Sequence, residues 1–233
     1  DPHLPYVSET GGLLENEPVL FFSNDAGRTW TAPLPIRLPQ GFVATPTNPV
    51  IELEDGRWFA SFDRWHGYHE PRPTGPYKNR MFGLFSDDRG RTWTDMVVMA
   101  DGEPDGLDFW HGKTIRLTDD RLFTLYQAAD MKNERNERIF LPLHVAYADS
   151  DGRNWSKPEP TGIPGQTNCP AELPNDDLCA VYSYRESEQP GFMAVLSEDG
   201  GRTWDVDNAV RLWDATGNTH IGINRHDTFP RSR

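Results

Sequence analysis

The residues best equipped for chemistry sit in a few short stretches. "DRWHGYHEPRP" (Asp63–Pro73) gathers Asp63, Arg64, His66, His69, Glu70 and Arg72 into eleven residues. "DGLDFWHGK" (Asp105–Lys113) places Trp110 beside His111, and "YRESEQP" (Tyr184–Pro190) offers Tyr184, Arg185 and Glu186. "GQTN" (Gly165–Asn168) adds Asn168. An arginine fork grips a carboxylate through two parallel charge-assisted hydrogen bonds. A carboxylic acid such as Asp63 can donate a proton if burial raises its pKa. Aromatic faces with a few polar groups suit a sugar. Trp110 and His111 read equally as such a platform or as the plug of a central channel, and Tyr184 as a strand-end aromatic or a ligand contact. His66-x-x-His69-Glu70 has the look of a metal cluster, but no helix aligns that spacing, so it reads as a polar loop and no metal or other cofactor is expected. Arg64 and Arg185 have ordinary surface ion pairing as their alternative role.

The elements that must carry these loops follow from a repeat. "SNDAGRTW" (Ser23–Trp30), "SDDRGRTW" (Ser86–Trp93) and "SEDGGRTW" (Ser197–Trp204) are three copies of one motif, and "ADSDGRNW" (Ala148–Trp155) is a worn fourth. The glycines Gly27, Gly90, Gly152 and Gly201 are 63, 62 and 49 residues apart. A recurrence of this size signals a repeat architecture. Each copy joins two β-like runs: "PVLFF", "RMFGLF", "LPLHVAYA" and "GFMAVL" precede the four motifs. The chemistry fits a hairpin loop. The aspartates Asp25, Asp88 and Asp199 and the serines Ser23, Ser86 and Ser197 can hold a turn through backbone N–H groups. The glycine supplies a backbone angle that other residues resist. The tryptophans Trp30, Trp93, Trp155 and Trp204 should cover the loop and pack under neighbouring strands. These aspartates are assigned to turn fastening, because a special chemical job is rarely copied into every repeat.

Between the motifs a second theme recurs in Asn48–Trp65, Gly112–Asp130 and Cys169–Glu186: a short strand, a tight turn, and a second strand rich in apolar residues. One repeat is therefore four strands, the unit of a propeller blade. Residues of about 48–100, 112–160 and 169–212 supply three whole blades. The residues before Trp30 supply the tail of another, and Asn218–Arg233 resembles the opening of a fifth. The hairpin between Cys169 and Cys179 is expected to turn at Pro174–Asp177, pairing Leu173 with Leu178, which keeps the two sulfurs apart as free buried thiols.

S-x-D-x-G-x-T-W resembles the Asp box of the sialidase-like propellers, also called the BNR repeat, and the resemblance extends over nearly the whole chain. It implies an all-β, six-bladed propeller, of which these 233 residues would be a single incomplete domain, open at both ends; a closed four-bladed ring is the alternative. It implies a glycoside hydrolase acting on a terminal sugar, with three arginines on the substrate carboxylate, an aspartic acid as proton donor and a tyrosine nucleophile activated by a glutamate. Asp63-Arg64 resembles the acidic–basic pair after the second strand of a blade, and Arg185 a later arginine of the triad. Thr47-Asn48-Pro49 stands where the family has its first arginine, so that arginine is missing or lies upstream. Thr167 and Asn168 occupy the stretch of the glutamate, which is absent or displaced to Glu186, and the tyrosine belongs to a blade the chain does not reach. Retention through a tyrosyl intermediate is implied for the intact protein, and this chain alone is expected to be inactive, because half the expected site is missing. Two other readings stay open: a BNR glycosidase for neutral sugars, and a non-catalytic propeller that binds glycans or proteins.

The bulk numbers agree with that class. Gly and Pro each number 20 and the aromatics 27, a composition suited to many short strands. A net charge of −13 argues against a nucleic-acid partner, while a glycan needs only local arginines. No apolar run is long enough to cross a membrane as a helix. The first residue is Asp1, which reads as a start after processing or truncation. An extracellular or periplasmic location is implied by the resemblance only.

Overall fold

A computed structural model describes residues 10, 12–39, 42–71, 80–131, 139–185 and 190–216. Among these the regular structure is β, with two single 3-10 turns and no α-helix. A two-stranded ribbon pairs β1 (Val19–Leu20) with β2 (Leu34–Pro35). The next sheet runs β3 (Val43–Pro46), β5 (Trp58–Trp65), β6 (Arg80–Ser86) and β7 (Thr94–Asp101), and β4 (Ile51–Glu52) continues the first strand along β5. Then come β8 (Leu107–Arg116), β9 (Leu122–Asp130), β10 (Ile139–Ala148) and β11 (Glu159–Pro160). The last sheet is β12 (Asn168–Glu172), β13 (Leu178–Tyr184), β14 (Gly191–Ser197) and β15 (Val210–Asp214). All pairings between these strands are antiparallel, so each larger sheet is a meander of neighbours in sequence, the construction of a propeller blade. The part of the chain read as a fifth blade, Asn218–Arg233, lies outside the described residues.

The sheets stack face to face, and the core lies between them. Phe59, Met81, Phe85 and Met99 of one sheet meet Phe109, Leu122, Tyr126 and Ala146 of the next. Phe123, Leu125 and Leu143 meet Leu178, Ala180, Tyr182 and Val195. Alternation along β9 sends Leu122 and Tyr126 to one interface and Phe123 and Leu125 to the other. A sheet covered on both faces needs apolar residues at nearly every position, which is how "RLFTLYQAA" reads.

In the three larger sheets the motif loops join the third strand to the fourth, and the first motif loop joins β1 to β2. In the three intact copies one scheme repeats. Ser86 Oγ donates to Asp88 Oδ1 at 2.9 Å and accepts from the N–H of Gly90 at 2.7 Å. Asp88 accepts the N–H of Thr92 at 2.8 Å and its hydroxyl at 2.7 Å, and Trp93 Nε1 donates to the Gly90 carbonyl at 3.1 Å. The same bonds tie Ser23, Asp25, Gly27, Thr29 and Trp30, and Ser197, Asp199, Gly201, Thr203 and Trp204. The threonine hydroxyl and amide hold these carboxyls down at about 2, the hydroxyl foremost at Asp25 and Asp199 and the amide at Asp88. The worn copy keeps the Trp155 Nε1 bond to the Gly152 carbonyl.

Two expectations are corrected. Trp204 packs in the core, but Trp30 is 61% exposed, because its two-stranded ribbon has no described sheet on that side to cover it. In the cysteine hairpin Glu172, not Leu173, pairs with Leu178. Asp176 takes a left-handed conformation (φ 66°), and Leu173 and Asp177 exchange a single described backbone bond, so five residues form the turn. The register moves by one: Cys169 faces Val181 and is exposed, and Cys179 faces Ala171 and is half-buried; both are free thiols.

Candidate active site

In each meander the entry to the first strand and the exit from the second lie at one end of the sheet, and the motif loop lies at the other. A cleft there collects Thr45–Thr47 from the end of β3 and just after it, Trp65 at the close of β5, and Thr167 ahead of β12. Its volume is about 580 Å3, with Trp65, Thr47, His111, Lys113 and Thr167 among its lining. One wall comes from residues 12–16, where the Leu13 N–H donates to the His66 carbonyl at 2.9 Å and the Asn16 side-chain amide donates to the Ala44 carbonyl at 2.8 Å. Gly12 has to be glycine in this packing, since a Cβ would stand 2.5 Å from the Gly67 backbone.

The best organised group in the cleft is a pair between adjacent sheets. Asp63 on β5 is fully buried. Its carboxylate accepts the backbone N–H of His111 on both oxygens, at 2.9 and 3.0 Å, and Oδ2 lies 2.9 Å from His111 Nδ1. The His111 side chain is 43% exposed, so Asp63 holds the ring from behind while the ring faces the cleft. With Asp63 ionised, Nδ1–H is the donor and Nε2 carries the free lone pair. Burial pushes the Asp63 carboxyl above the ordinary range, and the bonds from His111 pull against it.

The backbone builds this pair. The β8–β9 register shifts between Trp110 and Lys113, and His111 has a positive φ of 48°. Such a bulge re-aims side chains, and non-glycine residues rarely adopt that angle. It turns the His111 N–H toward Asp63 and releases the Gly112 carbonyl, which accepts Thr47 Oγ1 and Asn48 Nδ2 at 2.9 Å each. Asn48 Nδ2 also donates to Ser61 Oγ at 2.8 Å. Lys113 Nζ donates to the Thr47 carbonyl. Trp65 follows Asp63 by two residues, so strand alternation keeps it on the same face; its ring lies 6.1 Å from His111 and its Nε1 donates to Thr45 Oγ1.

Other anticipated residues lie elsewhere. Arg64 succeeds Asp63 on the strand and points to the opposite face, where it pairs with Glu70 at 2.5 Å and stands 5.0 Å over Phe42. An adjacent acid and base therefore cannot share one pocket here. Glu70 gives its other oxygen to His66 Nδ1 at 3.0 Å, and His66 is buried. Trp110 offers no stacking platform: it is buried with Ala129, Met131 and Phe140. Asn168 is buried too, and its amide donates to the Leu125 carbonyl on the neighbouring sheet. Arg185 does adjoin the cleft, through a 3.2 Å bond to Thr167 Oγ1, and with Tyr184 it lines a smaller hollow of about 260 Å3. Glu186 and Arg72 lie outside the described residues. The sequence pointed to Asp63 and His111 but not to their pairing, and it assigned no site role to Lys113, Trp65 or Thr167. Trp65 was accessible from the two-residue period; the wall at residues 12–16 left no local signal.

The fold is thus a β-propeller of the sialidase type, with its polar cleft at the end opposite the Asp boxes. The sequence matches the BNR repeat-like domain family over residues 68–220, and the chain belongs to that family. An anhydrosialidase of Macrobdella decora is 24% identical over 150 residues, which is 55% of this chain and 18% of that protein. The Penicillium chrysogenum alpha-L-arabinanase, solved with arabinobiose, superposes with a TM-score of 0.57 at 14% identity, over 85% of this chain and 56% of that one. The intramolecular trans-sialidase of Ruminococcus gnavus, solved with oseltamivir carboxylate, gives 0.55 at 15% identity, over 82% and 63%. The chain therefore spans under two thirds of each of these proteins. Among the described residues no helix is long and apolar enough to cross a membrane.

Proposed function

We propose that the protein acts as a glycoside hydrolase that removes a terminal sugar from a glycan bound in the entry-end cleft. The observation that carries this is the Asp63–His111 pair: a buried carboxylate orients an exposed imidazole into a cleft bordered by an indole, a lysine and three threonines. His111 Nε2 is the atom placed to exchange a proton with a substrate oxygen. Asp63 acts through it as a positioning residue, fixing the orientation of the ring and placing Nε2 toward the cleft. Family membership, and fold likeness to proteins named as an intramolecular trans-sialidase and an arabinanase, support a sugar as the substrate.

For the sugar, a carboxylate-bearing residue of the sialic-acid kind is the first reading, because Lys113 lines the cleft and Arg185 adjoins it. A neutral sugar is the second, and the engagement of Arg64 with Glu70 on the other face favours it, since one arginine expected on the carboxylate is directed away. The test is turnover by the protein, with its flanking sequence restored, of a fluorogenic sialoside beside arabinofuranoside, galactoside and glucoside analogues. Turnover lost in His111→Ala supports the reading. The sialoside result selects between the two sugars. Full activity in His111→Ala overturns the role given to the Asp63–His111 pair, and silence on every substrate overturns the hydrolase reading and leaves a binding propeller.

A further inference from the structure

The end of the molecule that carries the Asp boxes holds a second cleft, of about 680 Å3, between the worn box and the last intact one. Its origin shows when equivalent positions at two successive sheet interfaces are compared. At the earlier interface both arginines that stand over the shared ring are matched by carboxylates. Arg57 pairs with Asp55 at 2.6 Å, stands 5.0 Å over Phe85 and donates to the Asp151 carbonyl at 3.3 Å. Arg153 also stands over this ring at 5.0 Å and pairs with Asp95 at 2.9 Å.

One repeat further on, Arg121 takes the place of Arg57. It pairs with Asp119 at 2.8 Å and stands 5.9 Å from the Tyr147 ring. Arg202 takes the place of Arg153 in the box. The residue two places after the box tryptophan, Asp95 at the earlier interface, is here Lys157, which turns away to Asp105 at 2.8 Å. Among the described residues Arg202 is left with no ion pair and no side-chain hydrogen bond. The same holds for Asn154, which replaces the box threonine, and for Asp149. All three are exposed and line the cleft. Tyr147 and Trp155 supply aromatic wall, and Tyr147 is oriented by a 3.0 Å bond from its hydroxyl to the Gly200 carbonyl.

The charges choose the ligand. Arg121 and Arg202 are balanced by Asp149 and Asp199, so an anion gains little net attraction here. Unspent guanidinium, carboxylate and amide groups beside aromatic faces are suited to a neutral, hydroxyl-rich molecule. We propose that this cleft is a second saccharide site, for a neutral oligosaccharide, remote from the Asp63–His111 pair and independent of its chemistry. A substrate chain could be held there while its terminus is processed elsewhere on the molecule or on a neighbour.

The test is titration of the full chain with cellotriose, β-1,4-galactotriose and α-1,5-arabinotriose, followed by tryptophan fluorescence and by heteronuclear NMR, with 3′-sialyllactose as anionic comparator. At least one neutral trisaccharide should bind with a Kd of about 0.1–5 mM, as expected of an open cleft with few contacts. Arg202→Ala and Asn154→Ala should each weaken it about tenfold, the loss of one hydrogen bond to a charged or amide group. Arg153→Ala at the matched interface and His111→Ala in the other cleft should leave it unchanged. The proposal is overturned if no neutral probe binds by about 20 mM, if His111→Ala removes the binding, if Arg202→Ala and Asn154→Ala do not weaken it, or if 3′-sialyllactose binds more tightly than all three.

Discussion

Replacing Asp63 by asparagine tests whether burial or the His111 bonds govern this carboxyl. Asparagine keeps one acceptor oxygen, so it can serve either the His111 N–H or Nδ1–H; its amide nitrogen then confronts the other donor. One hydrogen bond to a charged group is lost, about 1.5–3 kcal/mol, while the cost of burying a charge is relieved. The net loss near neutral pH should be about 1–2 kcal/mol, or about 2–8 °C in Tm for a chain of this size. The pH dependence is the sharper test. A carboxyl whose folded pKa is raised binds its proton more tightly in the folded state. Its stabilisation is complete below the unfolded value of about 3.9 and is lost as pH rises through the folded pKa. The wild type should therefore gain on Asp63→Asn as pH falls from 8 towards 4, and paired thermal melts across that range measure the gap. A gap that closes on acidification would refute the reasoning, since it would mean that His111 lowers the pKa by more than burial raises it.

Other expectations concern the parts around it. Gly112→Ala places a Cβ 2.8 Å from the Tyr126 ring and 2.9 Å from Met81 Cε, so it should cost about 1–3 kcal/mol in a chemical denaturation series and lower kcat/KM by displacing His111. Gly201→Ala, at φ +89° with Phe123 2.5 Å away, should destabilise clearly more than Gly162→Ala, which has φ +80° and open space, when both are compared by differential scanning calorimetry. The Asp boxes should shape the acid limb of stability: carboxyls held at about 2 contribute fully above about 3.9 and lose that contribution as pH falls towards 2, so Asp88→Asn should lower the Tm at pH 7 and flatten the decline between pH 4 and 2.

The repeat was legible because its information is local. The box aspartate, serine, glycine and threonine bond within eight residues of one another, and the strands on either side alternate or run apolar as their burial requires. Register was less legible. The cysteine hairpin slipped by one because a left-handed aspartate, which any Asp or Asn in a turn can adopt, adds a residue to the connection. The two arginines illustrate the limit at the site: Arg64 and Arg185 look alike in sequence, but strand alternation turns one to Glu70 and Phe42 while the other reaches Thr167.

What the sequence alone determined is the blade: the four-strand unit and the fastened outer turn. These depend on contacts a few residues apart. The tertiary structure decided which side chains meet. Asp63 and His111 are 48 residues apart, and they touch only because two sheets stack and a bulge reverses the backbone at His111. A pairing of that range carries no periodic or spacing signal, since it depends on the packing of one blade against the next.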